Sequence, residues 1–313
     1  MRALHVPAAG ESPRIGDLEI PAVTEGTVLI RVLAAGLNPL DNAIAAGALA
    51  ALMPHAYPLV LGRDAAGVVE AVGAGVDHVK PGDEVLGHVT LTPPIQAGTL
   101  AEYALLPAVA VTPKPATLDF VQAAALPLAA AAAAQAVDAI DARPGQTVLV
   151  SGASGGIGSF AVQLLAARGA TVVATGRDAG RLTRLGATTV VDRAAGPVDE
   201  QVLAAYPGGV DALVTLFGRA EADVPLAAVR RGGKVSTLAQ VPSGDAGTAA
   251  GITVTKIMTK AVGTVTGPLA EQAAAGTLTV DVGAVLPLDQ ALDGLAAIAA
   301  GRAQGKTVVT LDR

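Results

Sequence analysis

The sequence predicts an α/β protein in two parts, a doubly wound parallel sheet and a separate antiparallel β domain. Three observations carry that expectation. After about residue 117 strand-like and helix-like stretches alternate, which implies parallel strands joined by crossover helices. Before it, short β-branched runs are broken by Gly, Pro and Asp turns. At 313 residues the chain also exceeds what one simple core accommodates.

The elements follow in order. TVLIRVLAAG (27 to 36), AAGVVEAVG (65 to 73) and DEVLGHVTL (83 to 91) read as strands, with KPGD at 80 to 83 as a turn. Residues 121 to 140 are apolar enough to raise the question of a membrane span. Ala dominates there, Gln122, Gln135 and Asp138 interrupt, and Pro127 sits inside, so one soluble helix is expected and no membrane association. RPGQTVLVSG then delivers a buried strand, and FAVQLLAARG (160 to 169) has helical spacing closed by Gly169. TVVATG (171 to 176), TTVVD (188 to 192), GVDALVTLFG (209 to 218) and GGKVSTLAQ (232 to 240) read as further strands, with a helix over 177 to 187. Helices near 268 to 275 and 288 to 301 and a closing strand, GKTVVTL, complete the chain.

Composition narrows the function. The chain is 51% hydrophobic, carries a net charge of −6 and has no basic patch, and only 2% of its residues are aromatic, so nucleic acid is not an expected partner. It contains no cysteine, which removes disulfides, thiolate zinc sites and cysteine nucleophiles together. No apolar run with a cleavage site opens the sequence, and a cytoplasmic location is the expectation.

VSGASGGIG at 150 to 158 follows a strand and opens a helix. A helix start offers unpaired N–H groups and partial positive charge, and it can hold a pyrophosphate where no side chain blocks the approach. Ser154, Gly155, Gly156, Ile157 and Gly158 are therefore assigned to the cofactor, with Ala153 in place of the first glycine of a G-x-G-x-x-G pattern. The end of the next strand selects the dinucleotide. An acid there would bind the ribose of NAD(H), whereas the sequence has Thr175, Gly176 and Arg177. A guanidinium holds a 2′-phosphate, so NADPH is the expected cofactor, with Arg181 and Arg193 as further candidates. Phe217 and Leu238, at later strand ends, complete the expected cofactor set.

These features resemble the medium-chain dehydrogenase/reductase superfamily, in its zinc-independent quinone oxidoreductase branch. The similarity covers nearly the whole chain and rests on AAGLNPLD (34 to 41), YPLVLGRDAAGVVEAVGAGVDHVKPGDEV (57 to 85), GTLAEYALLP (98 to 107), QAAALPLAAAAAAQA (122 to 136), the strand-turn-helix of 143 to 175 and the terminal GKTVV. It implies a GroES-like domain from 1–117 with 266–313, a Rossmann domain from 118–265, and a cofactor cleft at their junction. It also implies a homodimer, for which GITVTKIMTKAVGTV (251 to 265) offers an edge strand. In alcohol dehydrogenase relatives zinc ligands fall at the places of Asn38 and Arg63, so no metal is expected here.

The same resemblance points to Asn38 and Asp41 as catalytic candidates, with His55, Tyr57 and Tyr103 as further cleft groups. Two Tyr that quinone reductases of this type carry appear as Ala43 and Leu49, and their Thr-Ala-Tyr appears as Ala132, Ala133 and Ala134, which suggests a roomier apolar pocket. The expected activity is NADPH-dependent hydride transfer to a quinone or another conjugated carbonyl. Enone or enoyl-thioester reduction, and a non-catalytic NADPH-binding sensor or scaffold, stand as alternatives.

Overall fold

The computed structural model describes residues 1–216, 218, 220, 223–239 and 251–311. Its contacts group the chain into two compact units, residues 1–128 with 260–313, and residues 129–259.

The first unit is built on antiparallel sheet. β1 (Arg2–Val6) lies between β2 (Arg14–Asp17) and β4 (Leu59–Val60). A larger sheet contains β3 (Thr27–Gly36), β5 (Asp64–Val72), β6 (Glu84–His88), β7 (Tyr103–Pro107), β8 (Val111–Pro113), β15 (Val282–Pro287) and β16 (Lys306–Thr310). Its order is β15-β16-β3-β5-β6-β8, with β7 also on β3, and only β15 and β16 pair in parallel. The C-terminal strand thus closes on β3, pairing Val309 with Ala35. Ile30, Leu61, Leu100 and Leu106 are fully buried in its core. Each such side chain contributes roughly 1.5–3 kcal/mol through removal of apolar surface from water.

The Ala-rich stretch forms two helices where one was expected, α2 (Phe120–Ala125) and α3 (Pro127–Ala139). Asp119 caps the first by accepting the Gln122 N–H at 2.7 Å. The break falls at Pro127, which has no N–H to continue the ladder. The next amide, Leu128, donates to Asp64 Oδ1 at 3.0 Å. Among the described residues no helix is long and apolar enough to cross a membrane.

The second unit is a parallel sheet of β9 (Thr147–Ser151), β10 (Thr171–Thr175), β11 (Thr189–Val191), β12 (Val210–Thr215), β13 (Val229–Thr237) and β14 (Thr253–Lys256). The order is β11-β10-β9-β12-β13-β14, the doubly wound arrangement expected from the alternating pattern. Crossovers are made by α4 (Gly156–Ala167), α5 (Ala179–Arg184) and α6 (Val198–Ala205).

Two expected elements are shifted. The edge strand read over 251 to 265 pairs only at Thr253–Lys256, because its partner β13 ends at Thr237, opposite Lys256. The helix read from 268 starts earlier, as α7 (Gly263–Ala274), and runs through Pro268. α8 (Ala291–Ala299) follows a 3-10 turn at Leu288–Gln290, inside the expected span.

Candidate active site

Two groups of residues stand out, one in each unit. In the second unit the chain turns sharply after β9. Gly152 has φ +89°, a conformation that side chains disfavour, and its N–H donates to Thr175 Oγ1 at the end of β10, at 2.8 Å. Sequence reasoning missed Gly152 because it looked for a glycine at Ala153; the legible signal is the spacing of three between Gly152, Gly155 and Gly158. Gly155 is the N-cap of α4, and a Cβ built on it meets only Gly152 O, at 3.5 Å. The approach to the helix start is therefore open. A Cβ on Gly158 would lie 2.3 Å from Gly152 O and 2.5 Å from Ala153 Cα, so this glycine lets the helix seat against the turn. Gly156 and Ile157 supply first-turn amides that have no partner within the helix.

Across from the turn, Gly176 follows β10. A Cβ there would stand 2.3 Å from Ser154 Oγ and 2.5 Å from Leu182 Cδ1, so a side chain at this position needs both of those side-chain ends to move, and the acid that would select NAD(H) is not present. Arg177 is exposed beside it. Arg181 Nη1 donates to Ser154 O at 3.2 Å, which places a guanidinium on the glycine turn, and burial lowers its pKa. Asp178 accepts the Arg181 N–H at 2.9 Å and so serves as the cap of α5. Arg193 lies 3.8 Å from Asp223 and is drawn toward that acid. Leu238 is half-buried just past β13, its N–H on Thr215 O at 3.1 Å, and Phe217 lies outside the described residues. The structure thus brings Ser154, Gly155, Gly176 and Arg181 together.

The first unit contains a buried polar cluster. Asn38 caps α1 (Pro39–Ala45), whose first position is proline, and Asp41 Oδ2 accepts the Asn38 N–H at 2.8 Å. The Asn38 amide donates to Gly36 O at 3.2 Å and to Asp64 Oδ2 at 3.0 Å, and its Oδ1 accepts from Lys306 Nζ at 2.7 Å. Both of its donors are therefore engaged. Asp64 also faces His88 Nδ1 at 2.8 Å and Lys306 Nζ at 3.6 Å. Arg63, 1% exposed, donates to the Val60 and Ala97 carbonyls. The sequence showed Asn38 and Asp41, but Arg63, Asp64, His88 and Lys306 join them only in three dimensions. The available signal was ionisable residues in otherwise apolar strands.

Burial and charge act in opposite directions in this cluster. Burial pushes the Asp64 carboxyl up, yet its hydrogen bond to His88 and the Lys306 charge outweigh that and hold it below the usual range. Asp41 is the reverse case: burial raises it to about 6, against the pull of Arg63 and the Asn38 N–H, and its Oδ1 has no hydrogen-bond partner. Burial also lowers Lys306, opposed by Asp64 and Asp41. Of the other polar candidates, His55 meets Tyr57 edge-on with centroids 6.4 Å apart, and neither of its ring nitrogens has a partner.

The family described as "Alcohol dehydrogenase GroES-like domain" matches residues 24–116, and that described as "Zinc-binding dehydrogenase" matches 156–271. A quinone oxidoreductase of Rattus norvegicus is 35% identical over 244 residues, 75% of this chain and 72% of the relative. An NADPH-dependent alkenal/one oxidoreductase, chloroplastic, of Arabidopsis thaliana is 34% identical over 229 residues, 71% and 57% of the two chains. A solved structure described as an NAD-dependent alcohol dehydrogenase superposes with a TM-score of 0.88 at 29% identity, covering 100% of both chains. The chain spans about half the length of several curated relatives that it matches. A GroES-like unit with a six-stranded Rossmann sheet and a glycine turn defines the medium-chain dehydrogenase/reductase superfamily, and the chain belongs to it. Within that superfamily it falls in the quinone oxidoreductase-like branch.

Proposed function

We propose that the chain is an NADPH-dependent, zinc-independent reductase that transfers hydride to a quinone or another conjugated carbonyl. The observation that carries this reading is the open glycine turn with a guanidinium on it. Gly155 leaves space at a helix start, Gly176 stands where an acid would select NAD(H), and Arg181 reaches the turn while Arg177 stands exposed beside it. A pyrophosphate fits that cradle, and the arginines favour a 2′-phosphate over a free ribose hydroxyl. When bound, the nicotinamide supplies the hydride; the protein supplies position and a dry site. The relatives named for quinone and alkenal/one reduction support the acceptor class.

Two observations support chemistry without zinc. The places where alcohol dehydrogenase relatives carry ligands hold an amide bonded to Lys306 and a guanidinium bonded to carbonyls. Among the described residues no group of three or more His, Cys, Asp or Glu is spaced to hold a metal. A cytoplasmic homodimer completes the proposal, with β14 as the pairing edge. The test is NADPH oxidation against a panel of quinones and enones. Steady turnover with either class supports the enzyme, while tight NADPH binding without turnover supports a sensor or scaffold.

A further inference from the structure

We infer that Thr175 is a positioning residue for the dinucleotide: its hydroxyl fixes the backbone of Gly152, and through it the turn assigned to the pyrophosphate, so that it acts on NADPH and NADH alike. This rests on the reading of the glycine turn as a dinucleotide cradle. Every group involved lies in the second unit.

Gly152 is where the turn takes its shape. Glycine visits many backbone conformations, so something outside the residue must select the one it holds here, with φ +89°. Thr175 Oγ1 does so by accepting the Gly152 N–H at 2.8 Å. Gly152 O in turn accepts the Gly155 N–H at 3.2 Å, and a Cβ on Gly158 would lie 2.3 Å from that same oxygen. One glycine thus ties the end of β10 to the start of α4. Turning it moves the atoms against which that helix start is seated.

Thr175 is built to hold this bond. It is the last residue of β10, is 3% exposed, and pairs with Val191 of β11. Its β-branched side chain has few rotamers to choose from. The same device recurs on β13, where Thr237, the last residue, accepts the Ala239 N–H at 3.1 Å. Ser151 is the contrast. It ends β9, next to Val150, which pairs with Ala174, and it is 0% exposed. Its Oγ has no hydrogen-bond partner among the described residues. A hydroxyl at this end of the sheet is therefore not sufficient, and the one on β10 is the one that meets the turn.

Without this acceptor the Gly152 N–H either stays buried and unpaired, at a cost, or the turn rotates until it reaches water. Rotation relieves the free protein, and binding must then restore the seated turn. The cost appears in the dissociation constant. It is the same for both dinucleotides, because the pyrophosphate is common to them, whereas Arg177 and Arg181, assigned to the 2′-phosphate, lie beyond the end of β10.

The experiment measures Kd for NADPH and NADH by fluorescence titration, with thermal melts, for Thr175→Val, Thr175→Ser and Ser151→Ala. Thr175→Val keeps the branched shape and loses the acceptor, so both Kd values should rise about tenfold while their ratio stays within about twofold of wild type. Thr175→Ser keeps the acceptor and loses a buried methyl, so it should melt below wild type yet bind both dinucleotides within about threefold. Ser151→Ala should bind both as wild type does. Amide exchange of the free wild-type protein needs no variant and decides even where Thr175→Val does not fold. The Gly152 N–H should exchange at least about tenfold more slowly than those of Gly156 and Ile157, which have no partner within the helix. Unchanged Kd values in Thr175→Val, a change confined to one dinucleotide, or equal weakening in Thr175→Ser or Ser151→Ala would each overturn the inference and leave the cradle reading in place. A Gly152 amide that exchanges as fast as the other two does the same. A wild-type protein that binds neither dinucleotide overturns the cradle reading, and this inference with it.

Discussion

Arg177 and Asp41 show how single residues can be tested against the roles given to them. Arg177 is exposed at the end of β10 and makes no ion pair among the described residues, so its removal should leave the fold intact. Arg177→Ala should weaken NADPH binding by roughly 1.5 kcal/mol, the lower end for a charge-assisted contact, and leave NADH nearly unaffected, with Arg181 and Arg193 compensating in part. The ratio of the two dissociation constants, from fluorescence titration at fixed salt, reads this directly. Asp41 makes a prediction of the opposite kind. Its carboxyl is raised from 3.8 to about 6 in the folded chain. The folded state therefore binds this proton more tightly than the unfolded state, and stability falls as pH rises from about 4 to about 6, then stays at the lower level. Asn cannot titrate, so the stability of Asp41→Asn relative to wild type should rise by roughly 2.5 kcal/mol between pH 4 and pH 7. Urea unfolding at the two pH values measures it, and a difference independent of pH would show that the buried carboxyl does not titrate in this range. The residue scale is also where the sequence was least legible. Asn38 and Asp41 belong to one motif, but Lys306 reaches Asn38 across 268 positions, and no local pattern reports such a contact.

At the scale of elements, the turn and helix that open the nucleotide-binding unit separate packing from binding. Gly158→Ala puts a Cβ 2.3 Å from Gly152 O, so the helix must move off the turn, and the melting temperature should drop, by roughly 1–3 kcal/mol of stability. Gly155→Ala meets only one atom, at 3.5 Å, and should melt like wild type while binding NADPH and NADH more weakly, because the methyl faces the space assigned to phosphate. Thermal melts paired with cofactor titrations of both variants test the pair; loss of stability in Gly155→Ala would mean that its openness serves folding alone. The alternation that predicted this sheet was legible because buried parallel strands read as apolar runs and each crossover restores a helical period. What was not legible were ends set by partners elsewhere. β14 stops at Lys256 because β13 stops at Thr237, and the Ala-rich stretch breaks at Pro127, with Leu128 bonded to Asp64 in another strand. The outer side of β14 has no partner strand among the described residues, and an exposed edge of this kind invites pairing. Light scattering at micromolar concentration should therefore give twice the 30.6 kDa chain mass, and a mass of one chain would remove β14 as a pairing edge.

For the whole molecule, the architecture followed from the change of rhythm near residue 117, while the closure of the β unit by C-terminal strands came only through the resemblance. Val309 pairs with Ala35, a contact between the two ends of the chain that composition and periodicity do not encode. The same closure places Lys306 in the buried cluster, and that bears on metal. Divalent zinc needs several ligands of Cys, His or carboxylate type in tetrahedral reach. The chain has no cysteine and four histidines. Of these, His88 is committed to Asp64, and the carboxylates of the cluster already face Arg63 and Lys306. An added dication would meet two fixed positive charges, and displacing either would leave a buried ion unpaired, at a cost of several kcal/mol. Dialysis of the protein against a strong chelator should therefore change neither its melting temperature nor its rate of NADPH oxidation, and metal analysis before dialysis should find far less than one zinc per chain. One tightly held zinc per chain, lost together with activity on chelation, would show that the ammonium and guanidinium of the cluster do not exclude a metal and that the zinc-independent reading is wrong.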